Sequence, residues 1–135
     1  MIALIQRVSR GQVDIEGQQV GAIGRGIVAL VGIEATDSLQ IAQKLLEKVL
    51  TYRIFPDDAG KMNLNLRQIG GELLLIPQFT LVADTQQGTR PGFSRAAAPV
   101  LARALFGELL VAARTAHPHV AAGKFGADMQ VSLTN

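Results

Sequence analysis

The sequence contains no cysteine, so neither a disulfide framework nor thiolate chemistry operates in it, a pattern that fits a reducing cytosol. Histidine is scarce: His117 and His119 stand on either side of Pro118, and there is no third. A metal centre needs three or four converging ligands. The pair therefore reads as a solvated turn at a helix end, and we expect no metal. Long hydrophobic runs are missing too. The opening "MIALIQRVSR" meets Gln6 and Arg7 too early for a signal peptide, and no stretch approaches the ~18 apolar residues of a membrane span. The expectation is a soluble, cytoplasmic protein with no membrane partner. Charge of either sign is sparse: 13 Lys and Arg stand against 11 Asp and Glu, for a net +2. That bias permits an anionic partner without demanding one. The basic residues form no run, so charge by itself gives no nucleic-acid site.

What is present is an ordinary globular composition. Apolar residues make up 48% of 135 positions, enough for one core, and we expect one domain over 1–135. "IALIQRVS" and "QVDIE" run or alternate as strands do, with Gly17 at a hairpin turn before "QVGAIG". "GIVALVGI" is nearly continuous and β-branched, which predicts a central strand. Asp37 with Gln40 three residues on resembles a capping box. Ile41, Ala42, Leu45, Leu46, Val49 and Leu50 then give a helical stripe over about 38–52. "PDDAGKMN" reads as a loop. Gly70-Gly71 suggests a tight turn pairing "LNLRQI" with "ELLLI". Pro99 opens a second helix to about 115, and "KFGADMQVSLTN" ends in a strand. The fold class is α+β: a mainly antiparallel, barrel-like sheet with two amphipathic helices.

Few places carry chemistry. Asp57 and Asp58 read as turn residues rather than a carboxylate pair. Gly21, Gly24 and Gly26 lack the helix that a dinucleotide fingerprint requires and read as hairpin punctuation. The stretch "LLLIPQFTL" is different. Pro77 has no N–H and cannot sit in mid-ladder, so the strand must end or bulge there. That could free the N–H groups of Gln78, Phe79 and Thr80 for a ligand, although Phe79 could equally be core and Thr80 a strand residue.

The pieces "MIALIQRV", "YRIF", "GKMNLN", "QFTL", "ADT", "RPGFS" and "ADMQVSL" run in order along nearly the whole chain. Together they closely resemble the D-aminoacyl-tRNA deacylases. The resemblance implies hydrolysis of the ester between a D-amino acid and the terminal adenosine of tRNA, and of glycine mischarged onto alanine tRNA. It implies a homodimer that uses no cofactor, with the aminoacylated 3′ end of tRNA as partner and no DNA. Catalytic positions carried over from it are Gln78, Phe79 and Thr80. Substrate-binding positions are Pro77, Arg7, Ala102, Phe125 and Met129: Phe125 for adenosine, Ala102 for the pocket floor, and Arg7 to brace a loop. Two features depart from the family pattern. Pro77 stands where the family usually has Ser, which removes a hydroxyl and an N–H. The family's Gly-Pro dipeptide, inserted into the partner's pocket, has no counterpart up to Asn135; we expect that a tail carrying it lies beyond, rather than that the chirality filter is lost.

With no His, Cys or nearby acid beside Thr80, the expected chemistry leans on the substrate. The ribose 2′-OH next to the ester can polarise water or attack internally. The protein then supplies positioning and backbone N–H donors to the oxyanion, from Phe79 and Thr80. Two alternatives stay open: Thr80 as a nucleophile, and a non-catalytic dimeric RNA-binding module on the same fold.

Overall fold

The computed structural model describes residues 1–135. Four strands come first: β1 (Ile2–Val8), β2 (Arg10–Ile15), β3 (Gln18–Ile23) and β4 (Gly26–Gly32). Glu16 and Gly17 both take positive φ, 52° and 76°, as the two-residue turn between β2 and β3 requires. Helix α1 (Leu39–Thr51) follows, then β5 (Phe55–Pro56), β6 (Met62–Leu64) and β7 (Glu72–Pro77). A 3-10 turn (Phe79–Val82), helix α2 (Pro99–Ala116), β8 (Val120–Ala122) and β9 (Gln130–Thr134) complete the chain.

The main sheet has the order β1-β4-β7-β8, and a second sheet has the order β3-β2-β9. β1 pairs antiparallel with β4, whereas β4–β7 and β7–β8 are parallel. Side-chain alternation along β4 explains its unbroken apolar run, because both of its faces are covered. Ile27, Ala29 and Val31 join Leu46 and Leu50 of α1 and Leu105 and Leu109 of α2 in one core. Val28 on the opposite face joins Leu74, Ile76, Val13 and Ile23 in another. The layers are therefore helices, main sheet, second sheet. The α+β class stands, and the run at 26–33 is indeed an interior strand. The sheets do not close into a barrel, and the main sheet is mixed because its β4–β7–β8 crossovers carry helices.

Three local expectations need correcting. Asp37 does not cap α1; Ser38 does, its hydroxyl accepting from Ile41 N at 3.4 Å. Asp37 instead accepts from the Glu34 N–H at 2.7 Å and from the Met1 amino group at 2.5 Å. Gly70-Gly71 is no hairpin. β6 pairs with β5, and β7 joins β4. His117 is no solvated residue: it is buried, its Nε2 2.8 Å from the Gly71 carbonyl oxygen.

Candidate active site

Parallel strands bring like ends together, and in such sheets ligands bind in the crevice beyond the carboxyl ends. Here those ends are Val31 of β4 and Pro77 of β7, which sit side by side in register. Pro77 is buried and ends the strand, as its missing N–H dictates. The Gln78 N–H does not come free: it donates to Val31 O at 2.8 Å, one last rung of the ladder. The chain then turns into the 3-10 segment. Leu81 N donates back to Gln78 O at 3.3 Å and Ala83 N to Thr80 O at 3.2 Å. Phe79 and Thr80 open this turn, so their N–H groups fall outside its own bonding.

Gly32 makes the approach possible. A Cβ there would lie 2.9 Å from both Leu81 Cβ and Val82 Cγ2, and 3.3 Å from Gln78 O. Only hydrogen lets the turn lie this close against β4.

A cleft of about 270 Å³ opens at this point. Val31 and Ile33 give one wall, Gln78 and Phe79 a second, and Ala102 of α2 with Phe125 a third. Ala102 is buried, so a small side chain forms the floor. The Ala96–Ala97 stretch closes the rim. Ala97 N donates to Ile33 O and Ala35 N to Arg95 O, each at 3.0 Å. Arg95 also pairs with Glu34, which accepts the Met1 amino group at 2.7 Å. The amino-group hydrogen bond, helped by Arg95, holds the Glu34 carboxyl below its ordinary range. Burial pulls the Met1 amino group down, but its bonds to Asp37 and Glu34 outweigh this and its pKa is raised. At the mouth, the rings of Phe79 and Phe93 meet with centroids 5.1 Å apart, and Phe79 is 57% exposed rather than core.

Gln78 supplies the only polar side chain lining this cleft. Its Nε2 donates to Thr80 Oγ1. No carboxylate, imidazole or amine is among the side chains that line the cavity.

Of the residues expected from sequence, Gln78, Phe79, Ala102 and Phe125 line the cleft together. Thr80, which is exposed, and Pro77, which is buried, neighbour Phe79 and Gln78 in the chain but do not line the cleft. Arg7 sits elsewhere in this chain. It pairs with Ile27, four positions from Val31, roughly 13 Å along the strand, and its Nη1 donates to Ile54 O at 2.9 Å. Met129 packs with the core on the other face of the main sheet. Sequence reading missed Val31, Ile33, Ala97 and the close approach at Gly32. The last had a signal, since a glycine inside a strand marks a neighbour that comes close.

The family model for D-Tyr-tRNA(Tyr) deacylase matches residues 4–135. The D-aminoacyl-tRNA deacylase of Dichelobacter nodosus (strain VCS1703A) is 56% identical over 135 residues, covering 100% of this chain and 93% of that protein. Its counterpart from Pseudomonas savastanoi pv. phaseolicola (strain 1448A / Race 6) is 58% identical with the same coverage. Among solved structures, the c-Myc DNA Unwinding Element Binding Protein superposes with a TM-score of 0.93 at 34% identity, covering 98% of this chain and 91% of that one. A probable eukaryotic D-amino acid tRNA deacylase superposes at 0.87 with 14% identity, covering 98% and 92%, a likeness of fold. With a family model spanning nearly every residue and relatives identical at more than half of their positions, the chain belongs to the D-Tyr-tRNA(Tyr) deacylase family.

Proposed function

We propose that the chain hydrolyses the ester of D-aminoacyl-tRNA to free D-amino acid and tRNA, proofreading the chirality of what enters translation, and that it also releases glycine from alanine tRNA. Residues 1–135 act as one deacylase domain. The observation that carries the reading is a cleft whose single polar side chain is Gln78, bordered by two N–H groups that the 3-10 turn does not use. The ester carbonyl lies against the Phe79 and Thr80 N–H groups. The terminal adenosine lies against Phe125. The ribose 2′-OH polarises water or attacks internally, and the two donors hold the oxyanion. Walls close to Cα would exclude an L side chain, while glycine has none to exclude.

The rival role, Thr80 as nucleophile, needs a base to take its proton. The neighbour that meets Thr80 Oγ1 is the Gln78 amide, which is no base in either orientation. The proposed partner is the tRNA 3′ end and not DNA, despite the DNA-binding name of one structural neighbour: this cleft suits an ester and a nucleoside, and the sequence offers no run of cations for a duplex. No helix is long and apolar enough to cross a membrane, and we place the protein in the cytoplasm. We further propose a homodimer that needs no cofactor. Exposed apolar side chains such as Leu4 and Phe79 would lie at its interface, and Arg7, out of reach of its own cleft, would brace the partner's loop.

Thr80→Ala keeps the N–H and should retain most of the activity. Thr80→Pro, checked by circular dichroism to be folded, should lose roughly 10²–10³ in kcat as one oxyanion donor disappears. A substrate lacking the 2′-OH, esterified at the 3′ position, should bind and hardly turn over. A dead Thr80→Ala together with normal cleavage of the deoxy substrate would assign the chemistry to Thr80 instead.

A further inference from the structure

A second cleft of about 410 Å³ adjoins the first, and Phe125 and Gly126 line both. Its remaining lining includes Arg103, Lys124, Glu16 and Asp128. Arg103 comes from α2, one residue past the Ala102 floor, and its guanidinium lies 5.2 Å from the centroid of the Phe125 ring. Gly126 adopts a φ of +78°, and a Cβ there would come within 3.2 Å of Arg103 Nη2. The guanidinium thus lies against both the ring and the loop, and of the two clefts it lines only the second. Two acids share the cleft with the two cations, so its formal net charge is zero. Yet the ion pairs of the fold use only the Met1 amino group, Glu34, Asp37, Glu47, Arg67 and Arg95. Arg103 and Lys124 are within 4.0 Å of no carboxylate and keep their donors for something outside the chain.

From this juxtaposition we infer that the second cleft is a phosphate subsite, in which Arg103 and Lys124 bind the 5′-phosphate of the terminal adenosine. The inference rests on the deacylase reading above. With the aminoacyl ester in the first cleft and adenosine at Phe125, the adjoining cleft gives the nucleotide's 5′ side a way out past that ring, and Arg103 and Lys124 line that cleft. Arg103 offers the planar fork that phosphate oxygens accept, and Lys124 a mobile point charge. Both are positioning residues, acting on binding and not on the reacting atoms.

The test compares two minimal substrates with the full chain: adenosine carrying D-tyrosine on its ribose, and the same ester of adenosine 5′-monophosphate. Wild type should turn over the phosphorylated ester with a KM roughly five- to tenfold lower at similar kcat, the loss expected for uniform binding. Arg103→Gln and Lys124→Gln should each shrink that ratio, and the double variant should bring it to one while leaving hydrolysis of the plain adenosine ester unchanged. On whole D-Tyr-tRNA, the double variant should flatten the plot of log KM against log salt by about 0.7, the share of one single-stranded phosphate, and each single variant by less. A merely structural effect through Phe125 would raise KM for both esters alike and leave the salt slope untouched; that result overturns the subsite. Equal KM for the two esters in wild type overturns it as well, with the deacylase reading intact. Turnover of neither ester, nor of D-Tyr-tRNA, overturns both.

Discussion

Replacing Gly32 by alanine tests whether the placement of the 3-10 turn sets the rate. The new methyl would stand 2.9 Å from Leu81 Cβ and from Val82 Cγ2, where ordinary contacts begin near 3.4 Å. Val82 is 2% exposed and cannot swing away. β4 cannot retreat either, because β1 and β7 hold it on both sides. The turn must therefore lift by about half an ångström, the usual response of a close-packed interior to one added carbon. Overpacking of this kind costs about 1–3 kcal/mol, or roughly 3–5 °C of Tm per kcal/mol for a chain of this length. The rate should suffer more than the stability. A misplacement of about 1 Å can cost 10²-fold in rate, so half of that should cost roughly tenfold. The assay is thermal melting beside single-turnover deacylation of D-Tyr-tRNA at saturating enzyme. A variant that melts several degrees lower yet reacts at the wild-type rate would show that the turn's backbone donors do not hold the reacting ester. An unchanged Tm would show that the close approach itself is wrong.

Gly107 lies in α2 on the exposed side, with nothing within 4 Å of an added Cβ. Gly107→Ala should stabilise the fold by roughly 0.5–1 kcal/mol at unchanged activity, measured by urea unfolding. His117→Ala removes the partner of the Gly71 carbonyl and opens a cavity, and should cost about 1–3 kcal/mol on the same assay. Asp57 accepts the Lys61 N–H at 2.9 Å, the Asn63 side chain at 3.0 Å and the Ala59 N–H at 2.9 Å, and these bonds lower its pKa. A carboxyl with a depressed folded pKa stabilises fully above its unfolded pKa, and that stability is lost as pH falls through the folded value. Stability should therefore decline below the ordinary carboxylate range, and Asp57→Asn should make that acid limb shallower.

The elements whose identity depends on local pattern were legible in the sequence. The stripe from Ile41 to Leu50 gave α1, Pro99 gave the start of α2, and the continuous run at 26–32 gave a strand covered on both faces. Pairing was less legible, because it is decided at a distance. "LNLRQI" looked like the first arm of a hairpin, yet Asn65 and Gln68 cap each other's backbone N–H groups at 2.9 and 3.0 Å, and Gly71 N returns to Leu66 O at 3.0 Å. That is a helical turn with a reciprocal cap. The Asn-x-x-Gln spacing of that cap stands in the sequence at 65–68, ahead of the glycine pair from which the hairpin was expected. The turn lets the chain cross over and lay β7 parallel to β4, and so creates the paired strand ends on which the cleft stands. His117 misled for a related reason, since its burial depends on Gly71, 46 residues earlier.

The site itself was legible only through the residues that bend the backbone. Pro77 announced where β7 would end, and it does end there. The three residues after it could not be told apart from sequence. Their N–H groups looked equally available, yet Gln78 spends its own on Val31 O while Phe79 and Thr80 enter the turn without using theirs. The difference arises because the parallel ladder needs one more rung than Pro77 can give. A chemistry built on side chains leaves its signature in residue types, as a histidine beside a serine does. A chemistry built on backbone donors leaves it in the residues that shape the backbone: a proline that stops a strand, a glycine that lets the next turn lie against it, an alanine that keeps the floor low. In the proposed mechanism Pro77, Gly32 and Ala102 would be those three, and none of them has a titratable atom. The lack of acids and bases around Thr80 is therefore consistent with this kind of site, provided that the substrate brings its own hydroxyl.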